Sequence, residues 1–235
     1  MIKSFRQGTR VLIWIGLGLA LSAAASVSLE HWQSGRVMPL DTVRFDGELG
    51  RLQEAELRDA VAGTLDGGFL GIDVALIRRS VEALAWVDTA TVRRVWPDAL
   101  QITIAEQKPV AQWGEQALIN AAGQVFQPRQ RPTGLPQLGG PSGSAERVLS
   151  RYREFRSMLA AEGLEPVRLV LDERRAWTVT LANGGVIQLG REAVSARLAR
   201  MLAAWPQITN SQQGVLALAD LRYPNGFSLR WQDKD

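Results

Sequence analysis

The hydrophobic and polar positions change their period along the chain, and each change predicts a different element. Residues 42–46 alternate polar and apolar side chains before Gly47, which predicts a short strand. Apolar residues then recur at helical spacing over 57–65 and again over 74–84, where Asp73 suits a helix N-cap. Residues 87–104 predict a hairpin. The first part of the chain therefore has the order strand, helix, helix, strand, strand.

From Lys108 to Ser144 prolines and glycines break the chain, which predicts a loop-rich stretch that contains short strands. Two amphipathic helices follow, one ended by Gly163 and one that stops at Pro206. Asn183-Gly184 is the strongest hairpin signal in the chain. Strands are predicted at 110–113, 117–120, 125–127, 167–171, 177–181, 186–189, 215–221 and 227–231.

Two local features resemble ligand sites but favour structural interpretations. Gly67, Gly68 and Gly71 lack the spacing and the lysine of a phosphate-binding loop, so they are interpreted as the turn between the two helices. Arg93 and Arg94 are adjacent on a strand and point to opposite faces, so they are interpreted as solvated side chains and not as one anion clamp.

Residues 11–29 contain no charged side chain and, at about 1.5 Å per residue, span roughly 28 Å. This length predicts a transmembrane helix. Its second half is rich in Ala and Ser, so a cleaved secretory signal with a site near Ala23 and Ala25 is the alternative. Both interpretations export the remainder of the chain, because the three basic residues among the first ten hold the N-terminus inside.

Composition removes several classes of function. The 235 residues include no cysteine and one histidine, His31, so no disulfide, no ordinary zinc site and no cofactor site is predicted. Lys3, Arg6 and Arg10 are three of the 27 basic residues, and the rest of the chain carries 24 basic against 24 acidic residues. Such a neutral body does not favour nucleic-acid binding.

In order and spacing, the chain resembles the FtsQ/DivIB family of bacterial cell-division proteins, in its proteobacterial form. The resemblance covers nearly every residue from the predicted anchor to Trp231. The stretches that carry it are Val43–Gly47, Val92–Pro97, Leu100–Ile104, Glu106–Ala111, Arg174–Trp177 and Asp220–Phe227.

This resemblance implies an α+β architecture with a single N-terminal transmembrane helix. The implied organisation is a cytoplasmic tail (1–10), the transmembrane helix (11–29), a connector (30–39), a POTRA domain of β-α-α-β-β order (40–108) and an FtsQ-type mixed β domain with two helices (109–235). It also implies a non-enzymatic divisome scaffold of the inner membrane at the division septum. In that role the chain would bind FtsB and FtsL and help to recruit and regulate septal peptidoglycan synthesis. It would contact other divisome proteins through the POTRA domain and the transmembrane segment.

The residues near the C-terminus agree with a binding role. A short strand close to the end of a chain suits a sheet edge, which can accept a partner strand. The family's partner contacts transfer to Arg174, Arg222, Tyr223, Asn225, Gly226, Phe227 and Trp231. Since Phe227, Leu229 and Trp231 alternate, one face of this strand is also expected to be core.

The residues leave two rival functions to consider. An exported enzyme could use the carboxylates of Asp172 and Glu173, but adjacent strand residues face opposite ways and are badly placed to flank one bond. A POTRA-bearing periplasmic partner of an outer-membrane transport or assembly system would share the first domain. The two helices predicted at 146–162 and 192–205 interrupt the strands that such a system's barrel needs.

Overall fold

Two structural units follow one another along the chain and divide after Glu106. The structure is a computed structural model that describes residues 38–211 and 214–233. The predicted cytoplasmic tail, the transmembrane segment 11–29 and most of the connector lie outside these residues. Among the helices that are described, none combines the length and the apolar character needed to span a bilayer.

Unit 1 is a three-stranded sheet with helices packed on it, in the order β-α-α-α-β-β. Its elements are β1 (Thr42–Asp46), α1 (Glu54–Ala62), α2 (Gly68–Gly71), α3 (Val74–Glu82), β2 (Val87–Val95) and β3 (Ala99–Glu106). The strand order is β1-β3-β2, with β1 parallel and β2 antiparallel to the central β3. The predicted hairpin and the predicted first strand are therefore confirmed.

Helix α3 begins where its capping residue, Asp73, predicts. The Asp73 carboxylate accepts hydrogen bonds from the backbone N–H groups of Ala75 (2.9 Å) and Leu76 (3.0 Å), as expected of an N-cap. The apolar faces of α1 and α3 pack on one face of the sheet because alternate residues of β3 present apolar side chains there. This core includes Leu57, Val61, Phe69, Ile77, Val81, Ala90, Leu100, Ile102 and Ile104.

The segment between the two long helices differs from the prediction. Residues 68–71 form the single helical turn α2, which places Phe69 in the core. The Arg94 guanidinium donates hydrogen bonds to the carbonyls of Phe69 (3.0 Å), Leu70 (3.4 Å) and Ile72 (2.5 Å). The interpretation of Arg94 as a merely solvated side chain was wrong, because carbonyls at the end of a short helix need donors from elsewhere in the chain.

Unit 2 is a mixed sheet of nine strands with two helices. Its elements are β4 (Pro109–Trp113), β5 (Ala117–Asn120), β6 (Val125–Phe126), β7 (Gln137–Gly139), α4 (Ala145–Ala160), β8 (Pro166–Leu171), β9 (Trp177–Leu181), β10 (Val186–Gly190), α5 (Val194–Ser211), β11 (Val215–Asp220) and β12 (Ser228–Gln232). The strand order is β12-β11-β10-β9-β8-β7-β4-β5-β6. The predicted α+β class with a mixed β domain is confirmed for the described residues.

The core of unit 2 lies between the sheet and its two helices. Val179 and Ile187 on the sheet and Phe155 and Leu198 on the helices belong to this cluster and are fully buried. Gly163, at φ 68°, ends α4: its N–H donates to the Ala160 carbonyl and the next N–H donates to the Leu159 carbonyl. This is the glycine-dependent helix termination that the sequence predicted.

Two elements of unit 2 differ from the sequence predictions. Helix α5 does not stop at Pro206 but continues to Ser211. A proline removes only one backbone donor from the helix. The helix continues past it because the buried Trp205 side chain holds the preceding turn in place and the Thr209 hydroxyl donates to the Trp205 carbonyl (3.0 Å). Strand β7 was not predicted, because its three residues are fixed by parallel pairing with the distant β4 and β8.

Candidate partner-binding edge

Strand β12 forms one edge of the nine-stranded sheet. Within the described residues it pairs only with β11, antiparallel, from Ser228 opposite Asp220 to Gln232 opposite Val215. The side of β12 away from β11 therefore presents backbone N–H and C=O groups that this sheet does not use. The other edge strand, β6, has two residues against five in β12. The longer edge is the better template for an added strand.

The side chains of β12 divide into an inner and an outer set. Leu229 and Trp231 are half-buried and pack against the core, as does Phe227 just before the strand. The indole of Trp231 stacks on that of Trp205, with ring centroids 5.8 Å apart and an interplanar angle of 25°. The inner set is therefore part of the fold, as the alternation predicted, and it leaves Ser228, Arg230 and Gln232 exposed.

Residues 221–227, here called the edge loop, connect β11 to β12. Asp220 lies at the end of β11, and its carboxylate accepts three hydrogen bonds. Arg222 donates them from its backbone N–H (3.0 Å), Nε (2.8 Å) and Nη2 (2.6 Å). The hydrogen bonds from the guanidinium lower the pKa of the Asp220 carboxyl, although its burial opposes the shift. The same hydrogen bonds to Asp220 raise the pKa of the Arg222 guanidinium.

Two further contacts hold the edge loop. The Leu221 N–H donates to the Gln188 carbonyl (2.8 Å), and Leu221 itself is buried. Arg200, on α5, donates from Nη1 to the Pro224 carbonyl (3.0 Å). Between these attachments the Tyr223 side chain is 53% exposed. A residue suited to anchor an interface is therefore presented on a loop with several fixed points.

Asn225 and Gly226 complete the outward side of the edge loop. Asn225 is exposed and Gly226 is half-buried. A Cβ atom added to Gly226 would meet no atom within 4 Å, and its φ is outside the left-handed region. The fold of this chain therefore does not itself require a glycine at position 226.

Arg174 lies in the β8–β9 turn, at the same end of the sheet as the edge loop. The registers place Leu171 opposite Trp177, Trp177 opposite Gly190, and Gln188 opposite Asp220. The β8–β9 turn therefore lies three to four strand spacings from β12, or roughly 14–19 Å. The structure thus brings all seven predicted site residues to one end and one edge of the sheet.

The carboxylates weighed as a catalytic pair lie in the same turn. Asp172 accepts a hydrogen bond from the Ala176 N–H (2.7 Å), and its own N–H donates to the Ala176 carbonyl. Asp172 and Glu173 are turn residues, so the prediction that placed them on a strand was wrong. The Asp172 carboxylate stabilises the turn, as short acidic side chains commonly do.

The end of the sheet that carries the edge loop is rich in arginine. Arg197, on α5, donates to the Leu189 carbonyl (2.9 Å), so its guanidinium also lies at this end of the sheet. The basic residues here include Arg147, Arg151, Arg174, Arg175, Arg191, Arg197, Arg200 and Arg222, and the acidic ones include Glu154, Asp172, Glu173, Glu192 and Asp220. This excess of positive charge complements an acidic partner segment. Nowhere in 38–211 or 214–233 do three His, Cys, Asp or Glu residues form a group that could hold a metal.

Sequence reasoning missed two residues of this site. Asp220 stands two positions before Arg222, and this spacing is the available signal for a carboxylate that bonds a backbone N–H two residues on. Arg200 gave no local signal, because its partner carbonyl is 24 residues away along the chain.

Comparison with known proteins identifies both units. A family model described as "POTRA domain, FtsQ-type" matches residues 38–107, which defines the chain as a POTRA-bearing protein. A second model, "Cell division protein FtsQ/DivIB, C-terminal", matches residues 111–222. The chain belongs to the FtsQ/DivIB family of cell-division proteins, and the resemblance stated from the sequence is confirmed.

Individual relatives match over most of their length. The chain is 41% identical over 219 residues to "Cell division protein FtsQ" of Burkholderia pseudomallei, covering 90% of this chain and 86% of that protein. The protein of the same description from Xanthomonas campestris pv. campestris is 36% identical over 223 residues, covering 94% and 80%. That from Allochromatium vinosum is 34% identical over 228 residues, covering 96% and 91%.

Proposed function

We propose that this protein is a non-enzymatic scaffold of the divisome that captures FtsB by strand addition at β12. Through FtsB it gathers FtsL and helps to recruit and regulate septal peptidoglycan synthesis. Residues 11–29 anchor it in the inner membrane at the division septum, with the N-terminus in the cytoplasm and both units in the periplasm. The single observation that carries this proposal is the open, five-residue edge of β12 beside a fixed and exposed loop.

The edge supplies affinity and the loop supplies selectivity. An added strand forms main-chain hydrogen bonds whatever its sequence, so discrimination must come from side chains beside the edge. Tyr223 offers an exposed aromatic surface. Arg222 donates from Nε and Nη2 to Asp220, and its Nη1 makes no hydrogen bond within the described residues, so Nη1 can donate to a partner carboxylate.

Arg174 would act as a second cationic contact at a distance from the edge loop. Its position in the β8–β9 turn suits a partner that continues past β12 across this end of the sheet. A single strand added at the edge would not extend that far, so we propose that the partner carries a further segment beside its strand. That segment is acidic, because the end it crosses has an excess of arginine.

Gly226→Ala is the sharpest test of this proposal. The added methyl group meets no atom of this chain, so the unfolding temperature should be unchanged. A partner backbone packed on position 226 would meet the methyl group, and we expect co-purification of the full-length chain with FtsB to fall at least about tenfold. Unaltered capture by both Gly226→Ala and Tyr223→Ala, with both variants folded, would overturn the proposal.

A further inference from the structure

The N-terminal side of the chain enters unit 1 at one defined end. The Met38 carbonyl accepts a hydrogen bond from the Phe69 N–H (2.9 Å), and the Asp41 N–H donates to the Asp98 carbonyl (3.0 Å). Helix α2, the turn at 96–98 and the first described residues therefore lie together. We call this the entrance end of unit 1.

Apolar side chains are exposed at the entrance end. Trp96 is 67% exposed and Leu70 is 53% exposed, and exposed apolar side chains that lie together are more informative than a single one. The Trp96 indole meets the Phe69 ring in an edge-type contact, with centroids 5.1 Å apart at 67°, and most of the Trp96 surface stays exposed. A third exposed apolar residue, Leu76 (41%), lies in the first turn of α3.

The exposure of Leu70 follows from how α2 is held. Arg94 donates to three carbonyls of the α2 segment, including that of Leu70 itself, and Phe69 is buried beside it. With the backbone fixed and the neighbouring aromatic ring inside, the Leu70 side chain stays outside. The patch is therefore built by fixed backbone contacts and is not the surface of a free chain end.

The length of chain before Met38 indicates what covers this patch. The predicted membrane span ends at Leu29, nine residues earlier, and nine extended residues reach at most about 30 Å. The entrance end is thus tethered within about 30 Å of the bilayer surface. A short tether raises the effective concentration of the patch at that surface, so even weak contacts become populated.

We infer that Trp96 and Leu70 form a contact surface for the bilayer interface that orients unit 1 on the membrane. This inference rests on the membrane anchorage proposed above. Indole rings favour the headgroup level of a bilayer, and a leucine beside the indole adds apolar area to bury there. Asp41, Asp73 and Asp98 stand at the entrance end against Arg94, so the contact is driven by apolar burial, with zwitterionic lipids preferred over anionic ones.

The test uses the full chain with one added cysteine. Because the sequence contains no cysteine, a thiol-reactive label attaches at the added position alone. Leu70→Cys carries an environment-sensitive fluorophore, and the chain is reconstituted in vesicles of phosphatidylethanolamine with a brominated fraction. The matched control is Asp88→Cys, exposed near the opposite end of β2 and about 25 Å from Trp96 along the strand. We expect quenching and a blue shift at position 70 but not at position 88.

Trp96→Ser in the Leu70→Cys chain should lower the quenching at least about twofold, with circular dichroism unchanged. Equal quenching at positions 70 and 88 in a chain that floats with the vesicles would overturn the inference while leaving the anchor intact. If the blue shift at position 70 occurs only after envelope proteins are added, the patch binds a protein and not the bilayer. That result would also overturn the inference. A chain that does not float would refute the anchorage and this inference together, whereas FtsB capture is measured separately.

Discussion

Asp220 and Arg222 form a paired contact at the base of the edge loop, with Nε and Nη2 of the guanidinium donating to the two carboxylate oxygens of Asp220 at 2.8 and 2.6 Å. The Arg222 side chain is largely exposed, while that of Asp220 is largely covered. The covered carboxylate therefore holds the exposed Arg222 side chain in one orientation. In the proposed complex this spares part of the entropy cost of ordering Arg222.

The first prediction concerns pH. Arg222 lowers the pKa of Asp220 in the folded chain, so the pair stabilises the fold above the unfolded-state pKa of about 3.9. This stabilisation is lost as the pH falls through the lowered folded-state pKa. Asp220→Asn should therefore be less stable than the natural chain at pH 7, and the difference should shrink as the pH drops below about 4. Thermal unfolding over this range checks it, and a difference independent of pH would contradict it.

The second prediction separates binding from folding at Tyr223. Because its side chain is exposed, Tyr223→Ala should change the free energy of unfolding by less than about 0.5 kcal/mol. We expect it to weaken FtsB capture by about tenfold to a hundredfold. Val125→Ala is the control, since Val125 is also exposed but lies on β6, at the opposite edge. If Tyr223→Ala and Val125→Ala affect FtsB capture equally, Tyr223 is not part of the interface.

The third prediction concerns Trp231, which packs on Trp205 and lies on the strand proposed to bind the partner. Its indole stacks on Trp205, so Trp231→Ala should destabilise unit 2 by about 2 kcal/mol as well as weaken capture. Trp205→Ala is the matched variant, because it breaks the same stack from the helix side. Isothermal titration with FtsB at a temperature where both remain folded should show the larger loss for Trp231→Ala. Equal losses would assign Trp231 to folding alone.

The fourth prediction tests the geometry of unit 1. Gly47 has φ 140°, and a Cβ atom there would lie 2.3 Å from the Ile104 carbonyl oxygen. Gly47→Ala should therefore cost at least about 2 kcal/mol. Gly63→Ala is the control in the same unit, because the space around it is open and its φ is −81°. Urea unfolding of both variants checks the difference, and comparable stability would show that the β1 turn relaxes freely.

Local patterns predicted most elements of this chain because each depended on near neighbours. The Asp73 cap, the Gly163 termination and the Asn183–Gly184 hairpin all follow from residues within a few positions of each other. Strand β7 and helix α2 were missed because distant partners fix them. The same distinction applies to the site: the edge position of β12 followed from its place in the chain, whereas the contact of Arg200 with Pro224 could not be predicted.

The central claim is that FtsB adds a strand to β12. Amide hydrogen exchange of the full-length chain, measured with and without saturating FtsB, tests it most directly, because an added strand hydrogen-bonds the amides that β11 leaves unused. We predict slowed exchange concentrated in residues 228–232, extending into the edge loop. A stable complex whose protection lies elsewhere, with the amides of β12 exchanging as in the free chain, would contradict the account.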